Sequence, residues 1–348
     1  MVTETVFEGS QVDHLLREAP GSDTLVIVFS SINIPRGKYG FYRFFGECNE
    51  NILFINSPGN QWFQPDIDQI QILIDLAKAK TKTQRVHYYG SSMGAYASAL
   101  FSMLRNDGPS LSFGPNVELG ILGAHSARYE ISFDERYKNL SLLDPSGEHE
   151  ITVIFGAFDL VDAVGYANLR SNEKINTKLI PSCHAIHEHL FNTKEIFRLR
   201  DQFLINGSVD TSWLPTHEAA KSDDALKAKC LNYEVWANRI SEKPQHAPER
   251  SLTILDPGDA FFESRLCQLN GAHSKALEHI TNAIDCINSD EWLSKMPPPY
   301  IGRYYFLRAE SHRRLGHVQD SVSDYEMARS RGFKPQACLR FKDLLISA

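Results

Sequence analysis

From Asp23 to about Arg200, short apolar runs rich in β-branched and aromatic residues alternate with longer stretches of helical period. The runs fall at 24–30 (TLVIVFS), 51–56 (NILFIN), 85–89 (RVHYY), 117–123 (VELGILG), 151–155 (ITVIF) and 175–180 (INTKLI). Runs that are apolar at nearly every position suit strands buried on both faces, and helices between them supply the crossovers that a parallel sheet requires. Two of those helices are readable from period. Ile67, Ile70, Leu73, Ile74 and Ala77 recur at three and four, as do Met93, Tyr96, Ala97, Leu100 and Leu104. The pattern predicts an α/β fold, a mostly parallel sheet with flanking helices.

Between 201 and 255 the pattern dissolves into Gly, Ser, Thr, Pro and charge, interrupted by one helix that contains Cys230 to Ile240. The expected division is a sheet domain over 1–205, a connection over 206–255 and an all-α domain over 256–348. In the last of these, Ser264, Gly271, Ala276, Ile280 and Ala283 line up with Ala309, Gly316, Ser321, Tyr325 and Ala328, an offset of 45 residues. This spacing of small and larger residues resembles the tetratricopeptide repeat, and Pro335 falls near that repeat's closing proline. The offset exceeds the family's roughly 34 residues, the excess lying in 288–299. Two repeats cannot bury their faces alone, so the closing stretch 336–346 or a neighbour is expected to cover them.

Composition narrows the function classes. The 348 residues carry 36 Lys+Arg and 43 Asp+Glu, a net charge of −7, with no basic cluster of the kind nucleic-acid binding needs. No run approaches the roughly 18 apolar residues of a membrane span. The N-terminus lacks the basic and apolar regions of a secretory signal, so a cytoplasmic location is expected. Six scattered cysteines (Cys48, Cys183, Cys230, Cys267, Cys286 and Cys338) show no metal-ligand spacing and read as small buried hydrophobes.

Chemistry concentrates where the third run meets the helix after it. Gly90-Ser91-Ser92-Met93-Gly94 fits G-x-S-x-G between a strand and a helix. Glycines at both ends allow a sharp turn that pushes Ser92 out at the sheet edge, and the helix N-terminus there favours developing negative charge. With these flanks the stretch from about 20 to 200 resembles the α/β-hydrolase family.

That resemblance implies a nucleophilic serine followed in the chain by an acid and then a histidine. Asp159 comes three residues after the Gly156 that ends the run ITVIF, and 67 residues after Ser92; Asp162 competes, and a helix N-cap is the structural alternative for Asp159. The loop after 175–180 offers His184, His187 and His189, of which His184, closest to the strand end, is the expected base. The oxyanion donors implied are the backbone N–H groups of Met93 and of Ile32, with Ser31 as an alternative. Asn33, Arg36 and Lys38 in the same loop are candidates for substrate contact or members of a solvated loop, Trp62 after the turn at Asn56 is a candidate for lining a pocket or for packing, and His125 is a candidate for substrate contact. The stretch 127–150 is the room for a small cap.

The resemblance thus implies an esterase-like serine hydrolase that needs no cofactor and no metal. The stretch YGSSMGAYAS further resembles bacterial enzymes of surface-polysaccharide or glycoconjugate assembly, so an acylated sugar is the expected substrate class. An acyltransferase would use the same residues. The other class of reading is an idle hydrolase-fold scaffold whose helical repeats bind a protein partner or self-associate.

Overall fold

The computed structural model describes residues 4–5, 12–129, 131–241 and 251–334; Pro335, the stretch 336–346 and Cys338 lie outside them. Along the chain come β1 (Glu4–Thr5), β2 (Asp13–Arg17), β3 (Thr24–Phe29), β4 (Asn51–Asn56), α1 (Ile67–Thr81), β5 (Arg85–Ser91), α2 (Met93–Arg105), β6 (Ser110–Phe113), β7 (Ile151–Gly156), α3 (Leu160–Leu169) and β8 (Ile175–Ile180). They are followed by α4 (Ile186–Thr193), α5 (Glu195–Asn206), α6 (Glu218–Lys221), α7 (Asp223–Ser241), α8 (Pro257–Leu269), α9 (His273–Ser289), α10 (Pro298–Arg314) and α11 (Val318–Ser330). Two compact units result, each drawn from separate stretches. One comprises Met1–Phe155, Gly165–Lys178 and Ile196–Leu214, the other Gly156–Val164, Leu179–Glu195 and Pro215–Ala348. No helix among the described residues is long and apolar enough to cross a membrane.

One sheet of eight strands runs in the order β1-β2-β4-β3-β5-β6-β7-β8. Strands β4, β3, β5, β6 and β7 pair in parallel, whereas β2 pairs antiparallel with β4 and β1 with β2. The central strands are buried throughout, as their unbroken apolar runs require. Helix α1 buries Ile67, Ile70, Leu73, Ile74 and Ala77, the face its period marks, while α2 is buried along almost its whole length from Met93 to Met103.

The strand expected over 117–123 does not form. The sheet takes Ser110–Phe113 instead, a strand whose hydroxyls hide their polarity in a chain: Ser110 Oγ lies 2.8 Å from Ser112 Oγ, which lies 2.7 Å from Ser98 Oγ of α2. Segment 117–123 holds Gly120 and Gly123 at φ of 75° and 83°, values that no strand accommodates. Strand β2 is likewise absent from the apolar pattern, because His14 and Arg17 are polar and yet buried. The Arg17 guanidinium donates to the carbonyl of Phe45 at 2.6 Å and stands 6.0 Å over the Phe54 ring, which compensates its burial.

In the second unit α8 and α9 form one helical hairpin and α10 and α11 another. Their crossings are made by the small residues singled out above. Ser264 Oγ donates to the Ala276 carbonyl at 2.9 Å, and at the matching positions Ser321 Oγ donates to the Ala309 carbonyl at 3.0 Å. Gly271 and Gly316 turn the chain between paired helices with φ of 73° and 79°. The connection 206–255 carries the expected helix as α7, and its fully buried Lys229 pairs with Asp256 and, at 2.9 Å, with Asp259. His217 adds a 3.0 Å contact to Asp256, whose other oxygen caps α8 through the Asp259 N–H at 3.0 Å. A buried lysine with two carboxylates, an imidazole and a helix cap around it is compensated; removing one member would strand the rest.

Ile280 is fully buried in α9. Ile280→Ala is expected to destabilise the helical hairpins by about 2–5 kcal/mol, whereas Val322→Ala on the exposed face of α11 should stay within about 0.5 kcal/mol. Denaturant unfolding of the two variants checks the ranking.

Candidate active site

The turn between β5 and α2 is built by steric exclusion. Ser92 has φ 55° and ψ −117°, a left-handed conformation that costs a non-glycine residue about 1–3 kcal/mol. A Cβ on Gly90 would stand 2.1 Å from the Gly94 carbonyl oxygen, and one on Gly94 would stand 2.3 Å from that of Phe29. Both positions therefore exclude every other residue. The Ser92 N–H donates to the Phe113 carbonyl at 2.8 Å, and the Ser92 carbonyl accepts from Ala95 and Tyr96 as the first of α2. The serine side chain thus starts from the N-terminal end of a helix, with Met93 next to it as the first helical residue.

The loop after β3 lies against that turn, since Gly94 approaches the carbonyls of both Phe29 and Ser30. Ser30 Oγ accepts the Gly40 N–H at 2.8 Å, and Asn56 Nδ2 donates to the carbonyls of Ile34 and Pro35 at 3.1 and 3.2 Å. Asn56 therefore works as a clamp on this loop. The Asn33 N–H is taken by Asn60 Oδ1 at 2.8 Å, whereas no hydrogen bond among the described residues uses the N–H of Ile32 or of Ser31. Arg36 is engaged at the surface with Asp13 at 2.7 Å, and Lys38 is exposed.

Trp62 is fully buried and packs on Tyr129 and Phe133, with ring centroids 5.4 and 6.4 Å away. Its role is to fasten the segment after residue 126. Among its described residues that segment forms the 3₁₀ turns Ser126–Arg128 and Leu140–Leu142, and it is further tied by Asp134 N–H to Gln64 Oε1 at 2.7 Å. His125, half-buried, sits at the start of the first of these turns.

In the second unit the loops after β7 and β8 bring an acid and a histidine together. His184 Nδ1 lies 2.8 Å from Asp162 Oδ1, with the imidazole 4% exposed and the carboxylate not at all. The other oxygen of Asp162 accepts the Gly156 N–H at 3.2 Å. Burial pushes the Asp162 carboxyl up to about 6, against the pull of His184, which favours the ionised form. Asp159 behaves differently: its Oδ1 accepts the N–H groups of Val161 and Asp162 at 3.0 and 3.3 Å, the N-cap role. One of its oxygens still comes within 4.8 Å of a His184 ring nitrogen. The hydrogen-bonded partner of His184 is thus Asp162, one helical turn beyond the expected residue.

The other two candidate histidines lie buried on α4. His187 is buried in α4, where burial holds its imidazole neutral with a pKa down to about 3. His189 is fixed at both nitrogens, 2.8 Å from Ser182 Oγ and 2.9 Å from the Trp292 carbonyl, and burial again lowers it, to about 4. Trp292 belongs to the stretch that makes the two hairpins 45 residues apart, and its Nε1 donates to the Pro181 carbonyl at 2.8 Å. The excess over a regular repeat thereby braces the loop that carries His184. Spacing along the chain signals neither the Trp292 contact nor the Asp162–His184 pair, because the partners lie far apart in sequence.

No family model matches the chain, and no curated protein matches its sequence. Solved structures do resemble it. A capsule O-acetyltransferase of Neisseria meningitidis serogroup A is 19% identical, over 56% of this chain and 94% of that one, with a TM-score of 0.44. The esterase Pf2001 of Pyrococcus furiosus is 15% identical over 58% of this chain and 90% of its own, with a TM-score of 0.45. A dienelactone hydrolase from Anabaena variabilis is 15% identical over 58% and 97%, with a TM-score of 0.39. The likeness is one of chain path over a little more than half of this chain. In fold class the chain is α/β, a mostly parallel sheet with flanking helices, followed by a helical region.

The close approach at Gly94 yields a direct test. Gly94→Ala is expected to lower stability by about 1–3 kcal/mol or more, because the backbone of β3 cannot retreat from the added methyl group. An unchanged unfolding midpoint would contradict the 2.3 Å contact with Phe29.

Proposed function

We propose that this chain is a serine esterase of α/β-hydrolase type, with Ser92 as nucleophile, His184 as general base and Asp162 in the role expected of Asp159. The observation that carries the reading is the strained, glycine-flanked turn that presents Ser92 at the start of α2. The His184–Asp162 pair supports it, since an imidazole held by a buried carboxylate is the acid–base half that such a serine requires.

The chemistry follows in balanced steps. Ser92 Oγ attacks the carbonyl carbon of an ester while His184 Nε2 takes the hydroxyl proton. Asp162 holds the Nδ1–H and stabilises the imidazolium. The N–H groups of Met93 and Ile32 receive the oxyanion. Collapse expels the alcohol, which takes the proton from His184 and leaves an acyl-enzyme, and water then repeats the sequence to release the acid. These steps call for no cofactor and no metal at Ser92. The substrate class we assign is an acylated sugar or glycoconjugate, and a sugar hydroxyl in place of water would make the same site an acyltransferase. The helical hairpins fit a tetratricopeptide-like reading through Gly271, Gly316 and the Ser264 and Ser321 crossings.

A fluorophosphonate is expected to add once to the folded protein and not at all to Ser92→Ala, read by intact mass. A folded wild type that takes no adduct would sink the esterase reading in favour of an idle scaffold. Acetylated methyl glycosides, offered with and without a second sugar, separate hydrolysis from transfer by the mass of the product.

The acid assignment is tested by kinetics. Asp162→Asn should lower kcat by up to about 10⁴, and Asp159→Asn by less than about tenfold; the opposite ranking restores Asp159. For the base, His184→Ala should cost far more than His187→Ala. A carboxyl pKa raised to about 6 means that Asp162 is ionised only above that pH. Activity should therefore fall as pH drops through about 6, with an apparent pKa that belongs to the Asp162–His184 pair. A flat profile from pH 5 to 8 would contradict it.

A further inference from the structure

We infer that Glu263, Cys267 and His279 form a binding site for a zinc-type divalent cation inside the first helical hairpin. The inference is independent of the chemistry proposed at Ser92. The three donor atoms lie within 4.8 Å of one another, Glu263 and Cys267 one turn apart on α8 and His279 across the hairpin on α9.

Geometry is the first support. Cys267 Sγ stands 3.7 Å from Glu263 Oε1. A tetrahedral ion with metal–sulfur and metal–oxygen bonds of about 2.3 and 2.1 Å holds those two atoms about 3.6 Å apart. The donor set is thiolate, imidazole and carboxylate, which suits a borderline-soft ion rather than calcium or magnesium, and water would complete the fourth position.

Compensation of charge is the second. Glu263 is 5% exposed, and its carboxylate receives only the Leu252 N–H at 2.8 Å and the weak thiol donor of Cys267. His279 has no hydrogen-bond partner among the described residues. A buried carboxylate with so little opposite charge is costly. Binding of a divalent ion would send the thiol proton to water and leave thiolate, carboxylate and ion with no net charge.

The repeat supplies the third. At the 45-residue offset, Glu263, Cys267 and His279 match Arg308, His312 and Asp324. In the second hairpin Arg308 and Asp324 form a two-pronged ion pair, both contacts at 2.7 Å, that ties α10 to α11. The first hairpin has an acid and a histidine at those positions, and an ion between them would make the equivalent tie.

The test is a cobalt(II) titration of the full-length protein, followed by zinc competition and elemental analysis. One equivalent should bind with thiolate-to-cobalt charge-transfer absorption and be displaced by zinc. Cys267→Ser should abolish the band, and His279→Gln should weaken binding by more than the roughly 10–100-fold typical of losing an outer partner. His312→Ala, which disrupts the exposed group of His312, His317 and Asp320, should leave the band intact. Absence of a thiolate band in folded wild type, or its survival in Cys267→Ser, overturns the inference. If Cys267→Ser fails to fold, His279→Gln keeps the thiol and decides the question by affinity.

Discussion

The constraint on which the rest of the first unit depends is the contact of two backbones at the turn after β5. Gly94 sits so close to the Phe29 and Ser30 carbonyls that β3, β5 and α2 can be assembled in one way only. This fixes the left-handed Ser92, whose conformational cost of about 1–3 kcal/mol is offset by the burial of nearly every side chain of α2. It also fixes the loop 30–33 beside the serine. Asn56 and Asn60, each at or after the end of β4, then hold that loop through its carbonyls and the Asn33 N–H. A strained residue is thus surrounded by elements that have no other place to go.

The second unit is organised by a different device, the compensation of buried ionisable groups. Asp162 is offset by His184 and the Gly156 N–H, and Lys229 by Asp256 and Asp259. Glu263 differs from Asp256 and Asp259 in having no lysine paired with it, its carboxylate receiving only the Leu252 N–H and the Cys267 thiol. Burial favours the neutral acid at Asp162, and the contact with His184 pulls the other way.

The sequence made the parallel strands legible because β3, β4, β5 and β7 are largely apolar runs buried along almost their whole length. It concealed β6, where buried serines satisfy one another, and β2, where an arginine is buried on carbonyls. The turn at Ser92 was legible because only glycines fit at its two ends. Which carboxylate pairs with His184 was not, since Asp159 and Asp162 lie one helical turn apart and spacing cannot tell a cap from a partner of the imidazole. The same limit applied to Cys267, whose neighbours Glu263 and His279 are brought to it by two helices and form no compact motif.

Trp292 bears on how this chain could have been assembled and how it can be divided. The stretch that spoils the regularity of the two hairpins is the one that holds Pro181 and His189, on either side of His184. A truncation at the apparent seam near residue 205, or an exchange of the hairpins for regular ones, would remove the support of that loop while leaving every residue of the Ser92 turn in place. The irregular stretch and the histidine loop therefore make one structural part, and neither can be exchanged without the other.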